Sequence, residues 1–192
     1  MATEIEFAWV GHAPPMRSPQ STPEITPRAR TLTGYAGFQW WALSSIAPQA
    51  LVAGAAAAAP AIDDFIDRKL KEYGLTEADL AIVGFSQGTM MALQVGLRRP
   101  RPVAAIVGYA GVLTGTADLR QDKVPKPPVL LVHGTADPVV PVAALHAAEG
   151  DLQRLGVQVT THISAGIGHT VDPAGLRLGL GFVSTAFSAR KS

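Results

Sequence analysis

The sequence predicts an α/β domain in which helices cover both faces of a mostly parallel sheet, a three-layer αβα arrangement. Three observations support this prediction: short apolar runs alternate with helical stretches, several runs are almost wholly apolar, and 47% of the residues are hydrophobic. Strands of a parallel sheet read as continuous apolar runs because helices bury both of their faces. The length of 192 residues fits one domain, so we expect a single domain over residues 1–192.

The predicted strands and helices alternate along the chain. The strand candidates are short runs rich in Val, Ile and Leu, at residues 5–10, 80–84, 103–109, 129–133 and 157–163. The helix candidates, which carry apolar residues at helical spacing, are residues 55–73, 89–97, 142–155 and 173–187. Gly74 and Gly156 each follow a predicted helix, where a left-handed C-terminal cap is expected.

A proline-rich segment separates the first strand from the first helix. Five prolines lie between Pro14 and Pro27, and residues 12–48 show no clear period. Proline fixes φ and removes a backbone donor, so such spacing is incompatible with a regular element. We therefore expect an irregular surface loop, of a length that compact domains use for function or leave disordered.

Composition argues against several classes of protein. Sixteen basic residues balance fifteen acidic ones without blocks of one sign, so a nucleic-acid partner is not expected. Cysteine is absent, which excludes disulfides, a thiol nucleophile and thiolate metal ligands; the histidines lack paired spacing, so no metal or cofactor is expected. The N-terminus lacks signal-peptide features, and residues 50–62 are shorter than the roughly 18 residues of a membrane span. We expect a cytoplasmic protein without stable membrane insertion.

A Gly-x-Ser-x-Gly pattern, residues 84–88, lies between a predicted buried strand and a predicted helix. This context is the one that a nucleophile elbow requires, because a sharp turn exposes the serine at the carboxyl end of the strand. We predict Ser86 as a nucleophile, with the backbone N–H of Gln87 as an oxyanion donor at the start of the helix. A serine in an ordinary turn is the alternative, since the five-residue pattern alone is common.

Ser86 needs a base that a third group orients, because a serine hydroxyl is a weak nucleophile at neutral pH. In hydrolases with this elbow, the acid and then the histidine follow the serine along the chain. Asp137 follows the predicted strand 129–133, and His169 follows the strand 157–163 through a glycine-rich loop. Because parallel strands end at one edge of the sheet, we predict Asp137 as the acid and His169 as the base.

The remaining histidines and several aspartates fit this order less well. His133 ends a predicted strand just before Asp137, and we expect it to shape that turn. The others are expected to be packed or solvated side chains: His12, His146, His162, Asp118, Asp122, Asp151 and Asp172.

Taken together, these motifs resemble the phospholipase/carboxylesterase family of α/β-hydrolases, which includes acyl-protein thioesterases. The similarity is specific over residues 80–178 and is carried by residues 84–93, 133–141 and 166–169; it is looser at residues 7–14 and 38–41. The resemblance implies the α/β-hydrolase fold and hydrolysis of carboxylic esters or thioesters through an acyl-enzyme. It also implies that Trp40 and Trp41 lie near the acyl site. We predict that these residues and Val139, beside the acid, contact substrate, with core packing as the alternative.

The sequence departs from this family in one respect. Family members carry a further strand before the one matched by residues 5–10, and its His-Gly-x-Gly loop supplies a second oxyanion donor; this sequence has no such segment. Losing one oxyanion donor typically slows a reaction about 10²- to 10³-fold. We therefore expect an N-terminally shortened member of weakened activity, whose strand 5–10 lies beside strand 80–84 or which needs a partner edge.

Three functions remain open at this point. The leading one is a serine hydrolase, a monomer or homodimer, that cleaves small-molecule esters or thioesters with short- to medium-chain acyl groups. The second is a catalytically crippled homologue that binds acyl ligands or a protein partner, which the departure above favours. The third is an unrelated α/β binding domain in which the serine turn is a coincidence.

Overall fold

The computed structural model of the chain describes residues 39–42 and 47–189. Within these ranges lie four strands: β1 (Ala81–Phe85), β2 (Ala105–Tyr109), β3 (Val129–Gly134) and β4 (Val159–Ser164). The same ranges contain four α-helices: α1 (Pro48–Tyr73), α2 (Gln87–Gly96), α3 (Ala143–Arg154) and α4 (Pro173–Ser188). A single turn of 3-10 helix, Glu77–Asp79, precedes β1 and was not predicted.

The four strands form one parallel sheet in the order β1-β2-β3-β4. Each strand pairs with the one before it in the chain, and Ala81 lies opposite Ala105 at the start of the first pair. The predicted parallel sheet is therefore confirmed over these strands. Because all strands point the same way, the loops that follow Phe85, Tyr109, Gly134 and Ser164 gather at one edge of the sheet.

Side chains alternate between the two faces of the sheet, as the pleat requires. On one face, Ile82, Ile106 and Leu131 pack in the larger core beneath α1, α2 and α3. On the other face, Ala81, Val107 and Leu130 belong to a smaller cluster that includes Val183 of α4. Helices thus cover both faces, which makes the three layers that the sequence predicts.

The helix α1 begins seven residues before its predicted start. Pro48 occupies the first turn, where proline is tolerated because the first N–H groups of a helix have no intrahelical partner. Leu51 and Ala55 are buried against the larger core, so tertiary packing extends the helix over its alanine-rich part. Gly74 at its end has φ +65°, which is the predicted left-handed cap, and Gly156 after α3 has φ +74°.

Among the described residues, α1 is also the one helix that is long and apolar enough to cross a membrane. The core helix of a globular protein satisfies the same criteria, and Ile62, Ile66 and Leu70 of α1 are buried in the core. The predicted absence of membrane insertion stays a prediction. So does the single domain over residues 1–192, because the strand 5–10 and most of the loop 12–48 lie outside the described residues.

Candidate active site

Ser86 lies in a tight turn between β1 and α2. Its backbone adopts φ +52° and ψ −115°, a conformation that residues with a β-carbon rarely adopt, and its N–H donates to the carbonyl of Tyr109 at 2.8 Å. A β-carbon on Gly84 would collide with the backbone of Gly88, so the turn requires glycine there. Ser86 is only 6% exposed. The strained turn of a nucleophile elbow is therefore present at this position.

Thr89, in the first turn of α2, connects this elbow to the sheet through its side-chain hydroxyl. Its hydroxyl is 2.8 Å from the carbonyl oxygen of Gly84 and 2.8 Å from that of Tyr109. These two carbonyls belong to neighbouring strands, and Thr89 is almost fully buried. The contact holds the start of α2 at a fixed distance from the ends of β1 and β2.

Asp137 lies in the loop between β3 and α3. Its Oδ1 accepts hydrogen bonds from the N–H groups of Val139 and Val140, both at 2.8 Å, and its carboxyl group has no exposed surface. Burial raises the pKa of this carboxyl, yet hydrogen bonds from His169, Val140 and Val139 outweigh that effect and hold its pKa below the ordinary range. Asp137 is therefore ionised at neutral pH.

The loop that carries His169 follows β4 and rests on the loop that carries Asp137. The Gly166 N–H donates to Thr135 Oγ1 at 2.8 Å, and the Ala136 N–H donates to the Ile167 carbonyl at 2.9 Å. Gly134 allows this close approach, because a β-carbon there would collide with the same Ile167 carbonyl. These contacts fix the position of the histidine relative to the acid.

His169 contacts both other predicted residues. Its Nδ1 is 2.7 Å from Asp137 Oδ2, and its Nε2 is 3.0 Å from Ser86 Oγ. An ionised carboxylate only accepts, so Nδ1 carries the hydrogen and Nε2 is free to accept the Ser86 hydroxyl proton. The phenyl ring of Phe85 also packs against the imidazole, with 4.9 Å between ring centroids. The sequence did not single out Phe85, although it is the variable residue directly before the serine.

Gln87 begins α2, where the first N–H groups of the helix lack an intrahelical partner. Its backbone N–H is thus available for the predicted oxyanion position, and the helix dipole favours negative charge there. The sequence analysis found no match for the family's second oxyanion donor, which precedes the strand matched by residues 5–10. Residues 5–10 lie outside the described residues, so the expected weakening of activity stays a prediction.

The buried side chain of Gln87 has a second role that the sequence did not reveal. Its Oε1 accepts from the Trp40 N–H at 2.8 Å and its Nε2 donates to the Trp41 carbonyl at 3.0 Å, so both polar groups of the amide bond the backbone of this segment. The Trp41 ring lies directly on Gly54 of α1, and both tryptophans pack partly buried against the larger core. Their predicted contact with substrate stays a prediction.

The other residues singled out from the sequence are accounted for as follows. Val139 is 59% exposed beside Asp137, and its contact with substrate also stays a prediction. Asp172, expected to be solvated, instead caps α4 by accepting from the Gly175 N–H and the Ser164 hydroxyl.

His133 is buried, with Nε2 2.8 Å from the Val140 carbonyl oxygen, so it does shape the turn. Within the described ranges no group of three or more histidines and acidic residues is placed to hold a metal ion.

Comparison with known proteins identifies relatives of this arrangement. The model of the phospholipase/carboxylesterase family matches residues 22–186. Esterase YpfH of Escherichia coli K12 is 28% identical over 145 residues, covering 76% of this chain and 61% of that protein. Acyl-protein thioesterase 1 of Schizosaccharomyces pombe is 36% identical over 83 residues, covering 42% of this chain and 37% of that protein.

The solved structures agree with the family match. The crystal structure of esterase PE8 has a TM-score of 0.73 and 40% identity, covering 78% of this chain and 71% of that one. An Arabidopsis thaliana SOBER1 variant has a TM-score of 0.65 and 25% identity, covering 70% and 65%. The chain spans 61% and 37% of the lengths of the two curated relatives above. With a family match over most of its length and the fold of esterase PE8, the chain belongs to the phospholipase/carboxylesterase family of α/β-hydrolases.

Proposed function

We propose that this protein is a serine hydrolase that cleaves carboxylic esters or thioesters of small molecules through an acyl-serine intermediate. The observation that carries the proposal is the unbroken chain of contacts from Asp137 Oδ2 through His169 to Ser86 Oγ, at 2.7 and 3.0 Å. In this proposal Ser86 is the nucleophile, His169 the general base and Asp137 the group that orients it.

The reaction begins when Ser86 Oγ attacks the acyl carbon and its proton moves to His169 Nε2. The carbonyl oxygen becomes negatively charged and accepts a hydrogen bond from the Gln87 N–H at the start of α2. The imidazolium is stabilised by the ionised Asp137, and it then protonates the leaving alcohol or thiol. The acyl group remains on Ser86.

Water completes the cycle. His169 takes a proton from a water molecule as the water oxygen attacks the acyl carbon and forms a tetrahedral intermediate. His169 then returns this proton to Ser86 Oγ as the bond between Oγ and the acyl carbon breaks, which releases the carboxylic acid and restores the Ser86 hydroxyl. The same base serves both halves because its Nε2 faces the serine throughout. Hydrogen-bond donors aimed at the developing oxyanion usually make a large contribution to the rate. The number of such donors at this site therefore strongly affects kcat.

The substrate class follows from the family and from the surroundings of the triad. The relatives are named as esterases and an acyl-protein thioesterase, which supports ester and thioester substrates. Val139 presents an exposed apolar side chain two residues from Asp137, a surface suited to an acyl chain of short to medium length. In this proposal Trp40 and Trp41 lie on the acyl side of the site, which is supported by the hydrogen bonds that bring their backbones to the Gln87 side chain.

The test uses the purified chain, a fluorophosphonate probe and a series of p-nitrophenyl esters. Wild type is expected to label and to turn over, and Ser86→Ala to do neither. Ser188→Ala is the matched control, because Ser188 lies near the end of α4, where its hydroxyl bonds the Ser184 carbonyl. A wild-type protein that labels no more than Ser86→Ala contradicts the proposal. Saturable binding of an acyl ligand without labelling would favour the crippled homologue instead.

A further inference from the structure

The His133 side chain makes contacts that turn formation alone does not require. It is 2% exposed, and its Nε2 lies 2.8 Å from the Val140 carbonyl oxygen and 3.3 Å from Asp137 Oδ2. A carbonyl oxygen only accepts, so Nε2 carries a hydrogen. That hydrogen is donated to Val140, and the same nitrogen lies close to the carboxylate oxygen that accepts from His169. Asp137 Oδ2 therefore lies between two imidazole rings.

We propose that His133 is a positioning residue: its Nε2–H holds the Val140 carbonyl, and the Val140 N–H holds the Asp137 carboxylate in the orientation that aims it at His169. This inference rests on the proposed function, in which Asp137 orients the base. The loop that follows β3 is exposed at Thr135, Ala136, Pro138 and Val139, so the body of the domain does not enclose it. His133, near the end of β3, fixes that loop to the sheet at Val140.

Three donors bond the two carboxylate oxygens of Asp137. Oδ1 accepts from the N–H groups of Val139 and Val140, which come from the same loop and would move with it. Oδ2 accepts from His169 of the neighbouring loop, and His133 Nε2 lies 3.3 Å from this oxygen. None of the three donors belongs to the sheet. The hydrogen bond from His133, in β3, to the Val140 carbonyl is thus the contact that sets this loop relative to the rigid part of the fold.

A packing role is the competing explanation for the burial of His133. The ring lines a small internal cavity of about 10 Å³ together with Thr89, Leu131 and Leu145. A side chain that only fills this space could be replaced by an apolar one of similar size. A positioning role requires a donor at the Nε2 position, and glutamine supplies one because its amide nitrogen has a similar reach.

The test compares His133→Met, which removes the donor, with His133→Gln, which keeps it. We expect His133→Met to lower kcat for a p-nitrophenyl ester about 10-fold, as the loss of one buried hydrogen bond does, with KM unchanged. His133→Gln is expected to recover most of that loss. His162→Met is the matched control, because His162 lies at the same sheet edge in β4, opposite Val132.

A second measurement reports the contact without turnover. The His169 Nδ1 proton, held between an imidazole and a buried carboxylate, should give a ¹H NMR signal far downfield of the amides, assigned by its loss in His169→Gln. We expect His133→Met to broaden or shift this signal and His133→Gln to retain it. Should the methionine variant unfold, His133→Asn provides the comparison, because its amide is too short to replace the Nε2–H at the Val140 carbonyl.

The outcomes separate this inference from the proposed function. Wild-type kcat and an unchanged proton signal in His133→Met would overturn the positioning role. So would equal loss of kcat in His133→Met and His133→Gln with matching loss of thermal stability, because the ring would then act by shape alone. Absence of Ser86-dependent labelling in wild type overturns the proposed function, and the proton signal then decides the role of His133 by itself.

Discussion

The phenyl ring of Phe85 and the imidazole of His169 lie 4.9 Å apart between centroids, tilted by 45°. Phe85 ends β1 directly before Ser86, so one strand end supplies both the serine and an aromatic ring that packs against His169. This contact restricts the position of the imidazole.

Replacing Phe85 should therefore weaken catalysis. Phe85→Ala is expected to lower kcat/KM for p-nitrophenyl acetate about 3- to 10-fold. This fold-change corresponds to the free energy that one aromatic pair contributes. Phe85→Tyr keeps the ring and serves as the control. Steady-state kinetics test this prediction, and the melting temperature of each variant shows whether it is folded. An alanine variant with wild-type kcat/KM would show that the ring does not hold the histidine.

The Thr89 hydroxyl should contribute to stability. Thr89→Val keeps the shape but leaves the Gly84 and Tyr109 carbonyls without this donor, so the free energy of unfolding should fall by about 1–3 kcal/mol. Thr89→Ser, which keeps the hydroxyl, should lose less. Urea denaturation of the three proteins measures the difference, and equal midpoints for threonine and valine would contradict the role.

Asp137 should make stability depend on acid pH. Its pKa in the folded state is below the ordinary value of 3.8, so ionised Asp137 stabilises the fold above that pH, and this contribution is lost as the pH falls through the lower, folded-state value. The free energy of unfolding of wild type should thus fall more steeply below about pH 4 than that of Asp137→Asn. Denaturant unfolding from pH 7 to pH 2 gives both curves, and parallel curves would exclude Asp137 as a source of the acid dependence.

The buried Arg99 should be a large source of stability away from the site. Its guanidinium bonds Asp63 at 3.0 Å, Asp67 at 2.6 Å and the buried Glu77 at 3.3 Å, joining α1 to the 3-10 turn. Arg99→Met should lower the free energy of unfolding by about 3 kcal/mol, because it removes one partner of a buried charge.

The exposed Arg120 provides the control for this ion-pair cluster. Arg120 pairs with Asp122 at 3.2 Å with both side chains largely in solvent, so Arg120→Met should change the free energy of unfolding by less than about 1 kcal/mol. Thermal and urea unfolding compare the two variants. Similar losses in both would mean that burial of Arg99 adds nothing.

Much of the fold was predictable because it depends on period and chain order. The strands β1 to β4 are short apolar runs, and parallel strands bring their carboxyl ends to one edge. The meeting of Ser86, Asp137 and His169 at that edge therefore follows from where each lies relative to a strand. The catalytic role of the three remains a proposal that the labelling experiment tests.

The contacts that were missed depend on how loops close. The Gln87 side chain bonds Trp40 and Trp41, which lie 47 and 46 positions before it in the sequence. No local sequence pattern predicts contacts over such separations. The contact of His133 with Asp137 arises because the turn folds the acid back over its own strand. The start of α1 was placed too late because burial of Leu51 and Ala55, rather than sequence period, extends the helix.

The strand order β1-β2-β3-β4 also has a consequence for biosynthesis. Each new strand pairs with the strand that left the ribosome before it, so the sheet can grow by addition at one side as the chain emerges. Ser86 is made 83 residues before His169, and β4 must be in place before the histidine reaches it. If Ser86 is the nucleophile that we propose, it has no base until then, and a nascent chain that already contains the elbow is inactive.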